Sequence, residues 1–99
     1  DLTFQTEKAT NADEINNVLR EAANGPLKGI LTYSDEQLVS IDFNGNAHSS
    51  ILDTTFTRSV DPHMHKILSW YDNEWGYSNR ILDLIVYVAK VKNAALTVR

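Results

Sequence analysis

Cysteine is absent from the 99-residue sequence, and glycine is scarce. Without cysteine the chain has no disulfide framework, no thiolate nucleophile and no thiolate metal site, although its absence indicates no cellular compartment. The four glycines are far apart, so the chain has neither a Gly-rich phosphate loop nor the GxGxxG dinucleotide fingerprint. The sequence alone therefore predicts no self-contained active site.

Runs of basic and of apolar residues are also missing. No two basic residues are adjacent and the net charge is −4, which argues against nucleic acid or an anionic membrane as a partner. The longest apolar stretch, Ile81 to Ala89, is interrupted by Asp83 and is about half of the roughly 20 residues that span a bilayer. Because the sequence starts at Asp1 without Met, we expect it to be part of a longer protein.

The remaining composition is that of an ordinary folded domain, with 42% hydrophobic and 22% charged residues. Alternation of apolar and polar residues predicts strands, and apolar residues at spacings of three and four predict helices. The predicted class is α+β, with a mainly antiparallel sheet and helices packed on one face. The predicted elements are a strand at 2–7, a helix at 11–23, a loop at 33–37, a strand at 38–43, an antiparallel pair of 50–60 with 65–71, and a helix at 76–90.

The last predicted helix is apolar on nearly all sides. Ile81, Ile85 and Val88 lie on one stripe, while Leu82 and Val86 make the opposite side apolar too. Such a helix is buried on more than one side, and a domain of this size has little mass to do that. We therefore expect a long buried C-terminal helix that meets a partner domain or subunit, followed by a tail, residues 91–99, without a clear pattern.

Two weaker patterns concern titratable side chains. His63 and His65, with Asp61 nearby, are metal-competent, but their place at a turn favours solvated histidines over a metal site. Among the acidic pairs, only Asp72 and Glu74 stand where a site is expected, just ahead of a helix start.

The segment SWYDNEWGYSNR, residues 69–80, is the strongest candidate for a binding site. An asparagine such as Asn73 can donate and accept together, which suits a carboxamide, and Tyr77 offers a flat face to an aromatic ligand. The alternative is structural: Asp72 or Asn73 caps the helix, and the aromatic residues, Trp70 and Trp75 among them, pack in the core. Residue types and spacing leave both interpretations open for Asn73 and Tyr77. We expect Trp70 and Trp75 to pack.

Several motifs in order resemble one known family. DLTFQTEK, EAANGPLKGIL, LVSIDFNGNAHSSILD and KILSWYDNEWGYSNR are similar to the C-terminal part of the catalytic domain of phosphorylating glyceraldehyde-3-phosphate dehydrogenase. The resemblance covers residues 1–90 and leaves the tail, 91–99, outside it. It implies that the chain is a fragment of a two-domain dehydrogenase.

The resemblance also implies a reaction and its residues. Such enzymes oxidise glyceraldehyde 3-phosphate with NAD and phosphate to 1,3-bisphosphoglycerate in glycolysis, in the cytoplasm, as homotetramers. It implies that Asn73 and Tyr77 bind the nicotinamide of NAD and that Tyr71 lies near the reactive centre. Nothing in the sequence suggests a metal-binding residue. The nucleophilic cysteine and the base histidine are expected before Asp1, so the 99 residues alone should be inactive. NADP is not excluded, because the residues that select it are also expected upstream.

Two alternatives stay open at this point. The chain is also similar to erythrose-4-phosphate dehydrogenase, which shares the pattern from Asp42 to Arg58, although Tyr71 within SWYDNEWGYSNR favours the glyceraldehyde enzyme. A non-catalytic module that assembles or binds a partner is the alternative from another class.

Overall fold

The computed structural model describes residues 1–97, with side chains through Asn93. It confirms the α+β class, with strands, short 3-10 turns and two long helices in the described chain. The strands are β1 (Leu2–Gln5), β2 (Leu31–Ser34), β3 (Ser50–Asp53), β4 (Arg58–Asp61), β5 (Met64–Ile67) and β6 (Ser69–Trp70). The helices are α1 (Ala12–Asn24) and α2 (Trp75–Thr97), and the 3-10 turns span Ser40–Phe43 and Thr54–Phe56.

The strands form two three-stranded sheets. In the first, β5 lies between β1 and β4, and both pairings are antiparallel. In the second, β3 lies between β2 and β6, antiparallel to β6 but parallel to β2. The mainly antiparallel prediction is confirmed, and the parallel pair of β2 with β3 is the one exception among the described strands.

The predicted hairpin of 50–60 with 65–71 is divided between these sheets. β3 pairs with β6, and β4 pairs with β5, so the chain changes sheets between β3 and β4. The change occurs at the 3-10 turn that follows Asp53, whose buried Oδ1 accepts hydrogen bonds from the Thr55 amide at 3.1 Å and the Thr55 hydroxyl at 2.6 Å. A side chain that binds the backbone two residues ahead stabilises a turn and interrupts a strand.

The strand predicted at 38–43 is wrong. Residues 40–43 form a 3-10 turn, and Asp42 Oδ2 accepts the Val39 amide at 2.9 Å. The alternation of Val39, Ile41 and Phe43 suggested one buried face, but Val39 and Ile41 are exposed and only Phe43 is buried. The strand of this region is β2, which includes the start of the loop that was predicted at 33–37.

Helix α1 agrees with its prediction within one residue. Asn11 is the N-cap, and its Oδ1 accepts the Glu14 amide at 3.0 Å. The buried Asn16 side chain then attaches the helix to the rest of the fold: its Nδ2 donates to the Thr54 carbonyl at 3.1 Å, and its Oδ1 accepts from the Thr57 hydroxyl at 2.6 Å. Both polar ends of a buried amide are thereby satisfied, as burial requires.

A charged cluster at the surface joins the same parts of the chain. Asp35 Oδ1 accepts from the Thr54 hydroxyl at 2.6 Å and from Arg20 Nη2 at 2.7 Å. These two hydrogen bonds, the Thr54 contribution being the larger, hold the pKa of the Asp35 carboxyl below its ordinary value of 3.8. The Arg20 guanidinium also lies 5.5 Å from the centroid of the Tyr33 ring, over a strand of the second sheet.

Helix α2 is longer than predicted and is not buried within this chain. It begins at Trp75 and continues through Thr97, so most of the tail predicted to lack a pattern is helical; residues 98–99 lie outside the described residues. Ile85 is 60% exposed and Val88 is 56% exposed. The apolar stripe is therefore exposed among the described residues, and its burial against a partner remains a prediction. Neither helix has an apolar stretch that could cross a membrane, over the part of the chain described.

The first turns of α2 are held tightly against the second sheet. A Cβ atom at Gly76 would lie 2.7 Å from the His48 carbonyl oxygen, so only glycine permits this approach. One turn further on, Arg80 Nη1 donates to the Gly29 carbonyl at 3.0 Å and to Ser49 Oγ at 3.3 Å. These contacts fix where the helix starts.

Replacement of Asp35 by asparagine should lower stability in a pH-dependent way. A carboxyl whose pKa is lowered by folding contributes stability above its ordinary pKa, and the contribution disappears as the pH falls through the folded-state value. The difference in free energy of unfolding between the wild-type and Asp35→Asn proteins should therefore be constant near neutral pH and shrink as the pH falls below the ordinary value of 3.8. Urea denaturation at a series of pH values measures it.

The matched control is Glu36→Gln, which removes a neighbouring carboxylate that no hydrogen bond or ion pair of the described residues holds. Glu36→Gln should show no comparable pH-dependent loss in the free energy of unfolding. An equal effect of Asp35→Asn at acid and neutral pH would mean that its charge is not what stabilises the cluster.

Replacement of Gly76 by alanine should destabilise the fold. An exposed Gly→Ala change in a helix ordinarily stabilises by roughly 0.5–1 kcal/mol, but here the new methyl group meets the His48 carbonyl. We expect a net loss of about 1–3 kcal/mol in the free energy of unfolding, the usual cost of overpacking. Ser78→Ala, at an exposed position of the same helix, should stay near neutral. A stabilising Gly76→Ala would contradict the close approach.

Candidate functional site

The predicted site lies at a strand-to-helix corner, residues 70–77, between β6 and α2. Trp70 anchors its first end: the indole ring stacks on Phe43 with centroids 5.4 Å apart, and its Nε1 donates to the buried carboxylate of Asp53 at 3.3 Å. The prediction that Trp70 packs is confirmed. The corner therefore leaves the second sheet from a fixed point.

Trp75 does not pack, contrary to prediction. Its side chain is 50% exposed, whereas the next residue, Gly76, is buried against the His48 carbonyl. The inward position at the start of α2 must be glycine because the backbones are so close, and the adjacent Trp75 is turned outward. Aromatic content alone could not distinguish these two positions.

Asp72, three residues before the first residue of α2, binds the helix N-terminus through its side chain. Its Oδ1 accepts the amides of Trp75 at 3.1 Å and Glu74 at 3.4 Å, and its Oδ2 accepts the Gly45 amide at 2.8 Å. These hydrogen bonds, first that from Gly45 and then that from Trp75, lower the pKa of the Asp72 carboxyl from its ordinary value of 3.8. The capping alternative left open by the sequence is thereby decided in favour of Asp72.

The side chain of Asn73, the next residue, takes no part in these hydrogen bonds at the helix N-terminus. Asn73 is exposed, and among the described residues its amide group makes no hydrogen bond. An amide with both its donors and its acceptor unused is able to bind a ligand that has a complementary group. The Tyr77 ring, one turn along α2, is 70% exposed.

Asn73 and Tyr77 lie on the same cleft. The cleft has a volume of about 260 Å³, slightly below the roughly 300 Å³ at which pockets for whole small molecules begin. Its size suits one substituted ring better than a whole dinucleotide. The lining residues are Ser49, Tyr71, Asp72, Asn73, Gly76, Tyr77 and Arg80.

Sequence reasoning missed three of these residues as site residues. Ser49 comes from the segment before β3, and nothing in the sequence brings it beside α2. Gly76 could have been noticed as a lone glycine at a helix start. Arg80 adjoins the apolar stripe in the sequence, and this position suggested no binding role. Its Nε lies 2.9 Å from Asp83 Oδ2, without the alignment of a hydrogen bond.

The histidine pattern does not assemble a site. His65, predicted to be solvated, is fully buried, with Nδ1 2.8 Å from Ser59 Oγ and Nε2 3.2 Å from Thr6 Oγ1. His63 is exposed and its Nδ1 donates to the Thr6 carbonyl at 2.9 Å. His65 is buried because it lies at the centre of the first sheet, paired with Phe4 on β1 and Ser59 on β4. Over the described residues, no group of three or more His, Cys, Asp or Glu side chains could hold a metal ion.

A larger groove of about 390 Å³ lies away from the corner, between α1 and the first sheet. Its walls are mainly aliphatic and aromatic, and it has few polar groups to orient a ligand. The lining residues are Leu2, Phe4, Thr10, Glu14, Ile15, Val18, Leu19 and Ile67. The smaller cleft at the corner is therefore the better candidate for specific binding.

Comparison with known proteins identifies the family of this fold and corner. The sequence profile of the family described as "Glyceraldehyde 3-phosphate dehydrogenase, C-terminal domain" matches residues 1–73, so Asn73 falls inside the match and Tyr77 beyond it. A glyceraldehyde-3-phosphate dehydrogenase of Sclerotinia sclerotiorum is 55% identical over 93 residues, which is 94% of this chain and 28% of that protein.

Two further relatives agree. One from Cryphonectria parasitica is 50% identical over 95 residues, 96% of this chain and 28% of the relative. Glyceraldehyde-3-phosphate dehydrogenase 4 of Caenorhabditis elegans is 53% identical over 89 residues, 90% of this chain and 26% of the relative. The chain thus spans little more than a quarter of the length of these curated relatives. By its sequence and by the domain that it matches, the chain belongs to the glyceraldehyde 3-phosphate dehydrogenase family, to its C-terminal domain.

Proposed function

We propose that this chain supplies the nicotinamide-contacting corner of an NAD-dependent, phosphorylating glyceraldehyde-3-phosphate dehydrogenase. The parent enzyme would oxidise glyceraldehyde 3-phosphate with NAD and phosphate to 1,3-bisphosphoglycerate, in the glycolysis of the cytoplasm. The observation that carries the proposal is the Asn73 amide, which makes no hydrogen bond among the described residues and lies beside Tyr77 on a cleft the size of one ring. Family membership supports it independently.

The role of Asn73 follows from its chemistry. A carboxamide has one acceptor oxygen and a donor NH₂ group, and the Asn73 amide offers the complementary donor and acceptor. Two such hydrogen bonds fix the orientation of the group in its plane, whereas a single one leaves it free to rotate. Asn73 would thus determine which face of the nicotinamide ring is turned toward the aldehyde.

The Tyr77 side chain would border one side of the bound nicotinamide ring. This side chain stands at the cleft and is largely exposed, so its flat apolar face is available to an aromatic ring while its hydroxyl stays solvated. When bound, NAD supplies the hydride acceptor; the residues of this chain bind and orient it. Tyr71, 63% exposed on the same cleft, would border the reacting centre.

The chemistry of acyl transfer would come from outside these 99 residues. The chain has no cysteine, so the nucleophile that the family uses cannot be among them. We propose that the nucleophile, its base histidine and the dinucleotide-binding domain precede Asp1 in the parent, and that the chain alone is inactive. The same parent would form a homotetramer, in which the exposed apolar stripe of α2 is covered.

Substitution of Asn73 by alanine in the full-length parent should weaken NAD binding about tenfold, since a hydrogen bond in a binding site is worth about 1 kcal/mol or somewhat more. The folded structure should be little affected, because the amide has no partner within the described chain. Isothermal titration with NAD and the thermal midpoint of unfolding measure the two effects.

Asn79→Ala is the matched control. Asn79 lies on α2, and its Nδ2 donates only to the Trp75 carbonyl of the same helix, at 2.8 Å. It should leave NAD affinity unchanged. Wild-type affinity and turnover in the Asn73→Ala enzyme would refute the assignment of the corner to nicotinamide.

A further inference from the structure

We propose that Asp72 is a positioning residue, which ties the turn of residues 44–46 to the corner and thereby holds Asn73 toward its ligand. The proposal rests on the proposed function of Asn73. Asp72 itself would not touch the nicotinamide. What distinguishes it from an ordinary helix cap is that its two carboxylate oxygens bind different parts of the chain.

The cap needs only one of these oxygens. Oδ1 accepts the amide of Trp75, the first residue of α2, at 3.1 Å and that of Glu74, just before the helix, at 3.4 Å, so this oxygen binds the helix N-terminus. Oδ2 is free of that role and accepts the Gly45 amide at 2.8 Å. This is the shortest of the three hydrogen bonds, and it reaches across 27 positions of sequence.

The turn that donates this amide is itself held in place. Gly45 has a φ of +80°, in the left-handed region that favours glycine, and the Asn46 amide donates to the Phe43 carbonyl at 3.1 Å. Phe43 is buried and stacks on Trp70. Residues 43–46 therefore form a turn that is joined to the packed core through Phe43.

Asn73 thus follows two anchored residues. Trp70 is fixed by stacking on Phe43 and Asp72 by the amide of Gly45, and the cap on α2 fixes the backbone on its far side. The Asn73 side chain is exposed and makes no hydrogen bond of its own among the described residues, so its position depends on these neighbours. Removal of the tie to Gly45 should let the corner shift as a unit, and Asn73 with it.

Asp72→Asn in the full-length parent separates the two roles. The amide oxygen of asparagine can still accept from the first turn of α2, since asparagine is a good N-cap. The amide nitrogen cannot accept from Gly45, so the tie is lost. We expect NAD affinity to fall about three- to tenfold, the loss that a partly misplaced hydrogen-bonding group produces. Glu74→Gln, which removes a charge two residues away, should have no such effect.

A double-mutant cycle tests whether Asp72 acts through Asn73. If it does, Asp72→Asn should weaken NAD binding in the wild-type background and have little further effect in the Asn73→Ala background. Equal losses in both backgrounds would overturn the proposal, because they would show that Asp72 acts independently of Asn73. Unchanged affinity in the Asp72→Asn single variant would also overturn it.

Hydrogen exchange at the Gly45 amide makes failure of this proposal distinguishable from failure of the proposed function. Exchange there should become faster in the Asp72→Asn protein and stay unchanged in the Glu74→Gln protein. Unchanged exchange in Asp72→Asn would refute the tie itself. Faster exchange together with wild-type NAD affinity in Asn73→Ala would retain the tie but refute the role of Asn73, and with it the positioning role.

Discussion

The carboxylate of Asp72 is the contact on which the arrangement of the candidate site depends. It binds the start of α2 through one oxygen and the turn at Gly45 through the other. A short polar side chain can do this only because Gly76 lets the helix approach the backbone of the segment before β3 closely. Together these two residues define the corner, and the Asn73 amide is left unused as a consequence.

The two sheets supply the support for that corner through the segment between β3 and β4. There, the buried Asp53 accepts from Thr55 and from the indole of Trp70, while Asn16 of α1 binds Thr54 and Thr57. Buried polar groups with all partners in place favour one arrangement, because any shift leaves an unpaired group behind. The segment where the chain changes sheets therefore also holds Trp70, the residue at which β6 ends and the corner begins.

Sequence patterns predicted the parts of this structure that depend on local interactions. Helix α1, with Asn11 as its cap, follows from the sequence within one residue. Alternation failed at 38–43, because the Asp42 side chain favours a turn that no apolar pattern reveals. The exposure of Trp75 and the burial of His65 depend on contacts with distant segments, so spacing could not predict them. The sequence singled out Asn73 and Tyr77, which line one cleft, but it did not single out Ser49 and Arg80 of the same cleft.

We propose that the chain presents the amide of Asn73 to a nicotinamide ring. The most direct test is the structure of the full-length parent with NAD bound. We predict that the Asn73 amide lies within hydrogen-bond distance, about 2.7–3.2 Å, of the nicotinamide carboxamide, with the Tyr77 ring beside it. A nicotinamide bound elsewhere, with the Asn73 side chain in solvent, would contradict the account.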